Sequence, residues 1–236
     1  MMNLVIDFGN TTGKAALFNG NELFKIFKSI SLDSLDSIFN EFDITNTIIS
    51  STGVSTKIIE EKVHGNCLIL SHKLNLPFKL AYKTPETLGL DRIAGVAGAQ
   101  LQFPNDNCLI VDMGTCITYD ALIDGVHLGG SISPGMNMRF KALNTFTANL
   151  PLVEYEKNIS LIGDSTKSAI ISGVFNGIRA EIDETINHYC DNYGVLKVLI
   201  CGGDYIFFEN KLKASIFAAP ELVLKGLNGI LQHNVS

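Results

Sequence analysis

The chain reads as an α/β protein made of two duplicated halves, each a mixed sheet flanked by helices, with a cleft between the halves. Three observations lead there. Short apolar runs bounded by turn residues alternate with stretches of helical periodicity. The first run, Leu4-Val5-Ile6-Asp7-Phe8-Gly9, returns as Leu109-Ile110-Val111-Asp112-Met113-Gly114. The echo then continues without gaps through Ala16 and Ala121, Leu17 and Leu122, Gly20 and Gly125, and Leu23 and Leu128, every pair 105 positions apart. A gapless repeat through two strands and a turn points to duplication rather than to one coincidental strand end.

Each element follows in order. After the first strand, Lys14 to Phe18 and Glu22 to Lys28 form a hairpin about Asn19-Gly20-Asn21. Leu35, Ile38, Phe39 and Phe42 fall on one face of a helix over Asp33 to Phe42. Thr47 to Ser51 is a buried strand, Thr56 to His64 a helix, Cys67 to Ser71 a strand, and Arg92 to Phe103 a helix. The turn cluster Phe103-Pro104-Asn105-Asp106-Asn107 marks the boundary, giving domains 1–106 and 107–236. The second half repeats three strands through about Ser133. A long helix from Thr166 to Tyr193 follows, with Ile170, Val174, Ile178, Ile182 and Ile186 as an apolar stripe. A strand Val198 to Cys201 and helices near Tyr205 to Lys213 and Pro220 to Gln232 complete the chain.

Composition narrows the function. Of 236 residues, 46% are hydrophobic and 18% charged, which excludes a disordered chain. Eighteen Lys and Arg against 24 Asp and Glu leave a net charge of -6, which argues against a surface that tracks nucleic-acid phosphates. No apolar run approaches the ~20 residues of a membrane span. The start lacks a basic segment and meets Asp7 early, unlike a secretory signal. Five scattered cysteines (Cys67, Cys108, Cys116, Cys190, Cys201) form no Cys-x-x-Cys pair and read as reduced thiols of a cytoplasmic protein. The histidines show no ligand spacing and read as structural or surface residues.

The two Asp-x-Gly turns carry the chemistry. A carboxylate at the end of a buried strand is costly unless its charge is compensated. A glycine two places on lets backbone approach a ligand closely. Asp7-Phe8-Gly9-Asn10-Thr11-Thr12 and Asp112-Met113-Gly114-Thr115 together can hold a hydrated cation and present amides to phosphate oxygens. A single such turn reads equally well as an acid that caps and a glycine that permits; the pair shifts the balance toward a nucleotide. Lys14 is either a phosphate contact or a solvated strand residue. Cys201-Gly202-Gly203-Asp204 is either a close-packed adenine turn or an ordinary one.

Paired Asp-x-Gly turns with a later Gly-Gly turn resemble the actin, Hsp70 and sugar-kinase superfamily, whose ribonuclease H-like (actin-like) domains come in duplicated pairs. Within it, the chain resembles the type III pantothenate kinases over nearly its whole length. Gly89-Leu90-Asp91-Arg92, Thr118 and Asp120, Ile132-Ser133-Pro134-Gly135, Thr147-Ala148-Asn149-Leu150-Pro151 and Gly163-Asp164-Ser165-Thr166 carry the likeness alongside the two turns. The resemblance implies transfer of the γ-phosphoryl group of ATP to the primary hydroxyl of pantothenate, the first step of coenzyme A synthesis.

It also implies site residues. The ATP and phosphate set is Asp7, Phe8, Gly9, Asn10, Thr11, Thr12, Gly13, Lys14 and Thr115, with Mg2+ at the Asp7 turn. The pantothenate set is Tyr82, Gly89, Leu90, Asp91, Arg92 and Thr166, with Asp91 as proton acceptor. Asp112 matches the ligand of a monovalent cation, K+ or NH4+. The resemblance further implies a homodimer. Plainer readings stand beside these: Asp91 and Thr166 as helix N-caps, Arg92 as a surface helix residue, Tyr82 as a half-buried aromatic, and Gly173 and Gly177 as sites of close helix packing. Two other functions compete. A catalytically silent regulator would lack Asp91 or one turn, and all are present. A ribonuclease H-like nuclease would need an acidic metal cluster and a basic surface, against the paired glycine turns and the pI near 5.3.

Overall fold

The computed structural model describes residues 2–9 and 13–235. In chain order the strands and helices are β1 (Met2–Phe8), β2 (Gly13–Asn19), β3 (Glu22–Ile30), α1 (Leu32–Glu41), β4 (Ile44–Ser51), α2 (Thr56–Glu60), β5 (Asn66–Ile69), β6 (Lys79–Leu80) and α3 (Leu90–Gln102). They continue with β7 (Cys108–Met113), β8 (Cys116–Ile123), β9 (Val126–Pro134), α4 (Met136–Thr145), α5 (Thr166–Tyr193), β10 (Lys197–Cys201), α6 (Tyr205–Phe208), β11 (Phe217–Ala218) and α7 (Leu222–Val235). Among the described residues no helix is long and apolar enough to cross a membrane.

The chain divides into two compact units. The first takes Met1–Asn105, Gly125–His127 and Glu221–Ser236, the second Asp106–Asp124 and Leu128–Pro220. The sheet of the first runs β3-β2-β1-β4-β5, with β1, β2 and β3 antiparallel and β4 and β5 parallel to β1. In the second, β9, β8, β7, β10 and β11 stand in the corresponding order, with β8 antiparallel and β10 parallel to β7. The internal echo is thus a repeat of connectivity as well as of residues. It extends to the hairpins, where Gly20 and Gly125 both take positive φ, 59° and 72°. That backbone is open to glycine at no steric cost.

The strand period of two sorts the side chains of β1. Leu4, Ile6 and Phe8 join Leu35, Ile38, Ile49 and Ile59 in one core. Asn3, Val5 and Asp7 therefore point to the other face, where α7 packs on β1 and α3 packs on α7. Four asparagines bridge there: Asn66 donates to Asn46, Asn46 to Asn3, Asn3 to Asn228 of α7, and Asn228 to the Gly20 carbonyl, at 3.0–3.2 Å. In the second unit Leu109, Val111 and Met113 pack against Phe140 and the stripe Ile170, Val174, Ile178, Ile182 and Ile186.

The structure departs from the sequence expectation at several points. The C-terminal helix belongs to the first unit, not to a domain 107–236. Close backbone packing draws it there: a side chain at Gly226 would collide with the Ala94 carbonyl, and one at Gly98 with the Leu222 carbonyl. Helix α2 stops at Glu60 rather than His64, and α6 at Phe208 rather than Lys213. Strands β6 and β11 are two residues each, too short for a periodic signal. Helix α4 escapes the pattern because it buries only Met136 and Phe140, a narrow stripe.

Candidate active site

Asp7 sits at the carboxyl end of β1, half-buried, with Lys14 of β2 and Ser50 of β4 as its register neighbours. Burial pushes its carboxyl up from the usual range. The Ser50 hydroxyl, which donates to it, and the Lys14 charge pull it back, and nearby Asp91 raises it again. The first unit thus brings Asp7, Lys14, Ser50 and Asp91 together. Phe8 is buried and its carbonyl accepts the Thr52 and Gly53 amides at 2.9 and 3.4 Å. Gly13 lies against the Phe8 ring, leaving no room for a side chain. Gly9 follows the strand; Asn10, Thr11 and Thr12 lie outside the described residues.

Asp91 is not the N-cap of α3. Gly89 holds that position, and the helix begins at Leu90. Asp91 is exposed in the first turn, and its Oδ1 accepts the Arg92 amide at 2.9 Å. Gly89 lies close against this carboxylate: a Cβ there would come to 2.5 Å from Asp91 Oδ1 and push the side chain from its place. Arg92 is no surface residue: it is 7% exposed, its guanidinium 5.8 Å from the Tyr82 ring centroid. Tyr82 in turn stacks at 6.5 Å on His127, which is fully buried, and Phe78 meets His127 edge-on. His127 is structural, as the sequence suggests of its histidines; its support of Tyr82 in particular has no local signal. The parallel pairing of Lys79 and Leu80 with Val126 and His127 sets this stack.

In the second unit Asp112 occupies the equivalent end of β7. Gly202 takes φ 87° and packs against it, where a Cβ would lie 2.5 Å from Asp112 Oδ1. The Asp204 amide bonds to the Met113 carbonyl at 2.9 Å, and burial pushes the Asp204 carboxyl up. The glycine turn that follows β10 is therefore built onto the Asp112 turn. Thr115 is exposed at the tip of that turn, and its carbonyl accepts the Gly135 amide at 3.1 Å. Thr166 is exposed at the first position of α5. Its cap is Ser165, whose hydroxyl accepts the Ser168 amide at 3.2 Å, so Thr166 is not the N-cap. It lines a largely apolar groove of about 780 Å³ with Leu143, Leu150, Ile170, Gly173 and Arg139. Arg139 is a residue the motifs did not single out.

No cluster of three His, Cys, Asp or Glu in metal-binding arrangement occurs among the described residues. Mg2+ in phosphoryl transfer commonly takes one or two carboxylates plus substrate phosphates and water, and Asp7 is placed to serve. Asp112 offers a carboxylate, the oxygen-donor type that a hard cation takes.

A fold of two repeated β3-β2-β1-β4-β5 sheets with an acidic turn ending each first strand is the actin-like ATPase and sugar-kinase fold. Comparison with solved structures agrees: a ROK family glucokinase from Streptomyces griseus, in complex with glucose and AMPPNP, superposes with a TM-score of 0.52 at 12% identity over 99% of both chains. A Baf family protein from Campylobacter jejuni gives 0.63 at 26% identity over 98% of both. The family model for type III pantothenate kinases matches residues 3–188. A type III pantothenate kinase of Phocaeicola vulgatus is 44% identical over 99% of both chains. The chain belongs to the type III pantothenate kinase family.

Proposed function

We propose that this chain phosphorylates the primary hydroxyl of pantothenate with ATP, giving 4'-phosphopantothenate for coenzyme A synthesis in the cytoplasm. The observation that carries this is the convergence of Asp7, Lys14 and Asp91 in the first unit of a chain of this family. Phosphoryl transfer asks the protein for position, charge neutralisation and a proton acceptor. Asp7 and Lys14 supply the first two at the phosphates, with Phe8, Gly9, Asn10, Thr11, Thr12 and Gly13 as the remaining phosphate contacts. Mg2+, when bound, spreads the phosphate charge, and Asp7 would hold it. Asp91, exposed on the first turn of α3, accepts the hydroxyl proton. Arg92 orients the pantothenate carboxylate, with Tyr82, Gly89, Leu90 and Thr166 as further contacts. Thr115 contacts ATP and Asp112 holds K+ or NH4+.

The same reading makes the working form a homodimer. A glycine inside a helix costs about 1 kcal/mol relative to alanine. Gly173 and Gly177 lie mid-helix on one face of α5, and a Cβ at either would meet nothing within 4 Å. Packing inside the chain gives no reason for them; the close approach of a second copy does. The test is release of ADP with and without pantothenate. Turnover that depends on pantothenate supports the proposal, and ADP release indifferent to it contradicts it.

A further inference from the structure

The second unit contains a polar network that none of these roles uses. Arg139 on α4 reaches three acceptors. Its Nε donates to the Pro134 carbonyl at 2.8 Å, and its Nη2 donates to Ser133 Oγ at 2.8 Å and to Glu181 Oε2 of α5 at 2.5 Å. The other oxygen of Glu181 accepts the Tyr119 hydroxyl of β8 at 3.0 Å. Burial and the adjacent Glu181 charge push the Tyr119 hydroxyl far above the usual phenol range, so it stays a donor. The Arg139 and Glu181 side chains are 20% and 30% exposed, which shields their charge-assisted bond from much of the solvent screening.

This network lies between two features of the proposed site. On one side Arg139 lines the groove that also carries Thr166. On the other, Pro134 leads directly into Gly135. The Gly135 amide holds the Thr115 carbonyl at 3.1 Å, and a side chain at Gly135 would collide with the carbonyls of Gly114 and Thr115. The backbone of turn 112–115 is thus seated on the segment that Arg139 pins. Three acceptors in different directions need a planar fork, which lysine lacks.

We infer that Arg139 is a positioning residue: anchored by Glu181 and Tyr119, it holds Pro134-Gly135 and through them the Thr115 turn in its nucleotide-binding geometry. This rests on the reading of Thr115 as an ATP contact. Glu181 acts by preventing the guanidinium from swinging into the groove, where it would be left to solvent and substrate.

The test uses the full chain with Arg139→Lys, Arg139→Met and Glu181→Gln, measuring KM for ATP and for pantothenate separately beside the melting temperature. Misplacing a contact by an ångström can cost as much as 10²-fold; both Arg139 variants should raise KM for ATP about tenfold or more while KM for pantothenate moves less than about threefold. Glu181→Gln should shift in the same direction by less. Unchanged KM for ATP with a lowered melting temperature would assign the network to stability alone and overturn the inference, as would equal rises in both KM values. If Arg139→Met fails to fold, Arg139→Lys and Glu181→Gln carry the test. If the wild type shows no pantothenate-dependent turnover, the kinase reading fails. Binding of a fluorescent ATP analogue to wild type and Arg139→Lys then decides the inference separately: weaker binding by the variant supports it, equal binding overturns it.

Discussion

Asp7 and Asp91 are held in opposite ways, and each predicts a different experiment. Asp91 stands exposed on the first turn of α3, so its carboxylate is free to meet a hydroxyl. Asp91→Asn should lower kcat by about 10²–10⁴-fold, the usual range for a general base, with ATP affinity little changed. Near-wild-type turnover would return Asp91 to a structural part. Asp7 is instead half-buried, with its carboxyl raised by that burial. A carboxyl raised in the fold above its unfolded value favours folding when protonated, and that contribution is lost as pH rises through the folded value. Above its folded-state value the carboxyl raised by burial is therefore a liability to stability. Asp7→Asn should abolish activity yet stabilise the chain by on the order of 1 kcal/mol at pH 7.5, as active-site relief commonly does. The gain should fade as pH drops below the carboxylate range. Thermal melts at both pH values check this; a loss of stability at pH 7.5 would contradict the assignment. Asp7 is legible because a strand-end acid followed by glycine is a local pattern, whereas Asp91 is reached only through the resemblance carried by Gly89-Leu90-Asp91-Arg92. The particular parts of His127 and Arg139 were not legible, since what makes them matter is Tyr82 in one case and Glu181 in the other, far off in sequence.

At the scale of elements, the repeat was readable because the period-2 apolar runs and their acidic ends recur at fixed spacing. The long helix α5 was readable from its stripe of Ile170, Val174, Ile178, Ile182 and Ile186. What escaped was set by tertiary contact. The pairing of β6 with Val126 and His127 and the return of α7 to α3 leave almost no local trace. Gly98 and Gly226, unremarkable in sequence, are where α3 and α7 touch backbone to backbone. Gly226→Val should cost about 1–3 kcal/mol, the common range for overpacking. Denaturant unfolding measures it, and a neutral effect would mean the helices can part without penalty. Gly173 predicts the reverse sign. With open space beside it, Gly173→Ala should leave the isolated chain as stable or more so, by up to about 1 kcal/mol.

The whole molecule joins these parts through its proposed assembly and ions. If the glycine face of α5 meets a second copy, Gly173→Leu should weaken that association and make specific activity fall on dilution, while the monomer keeps its fold. Sedimentation of wild type and variant checks it, and a fully active wild-type monomer at assay concentration would contradict the dimer. Asp112 as a monovalent-cation ligand predicts activity in K+ or NH4+ that Na+ does not support at fixed Mg2+; equal rates in K+ and Na+ would remove that role. The central claim is the reaction itself, and identifying its product tests it most directly. Incubated with γ-labelled ATP and pantothenate, the wild type should place the label on the pantothenate primary hydroxyl, as seen by phosphorus NMR and mass, and Asp91→Asn should do so at a small fraction of the rate. Label found only as inorganic phosphate, or a product formed equally well by Asp91→Asn, would contradict it.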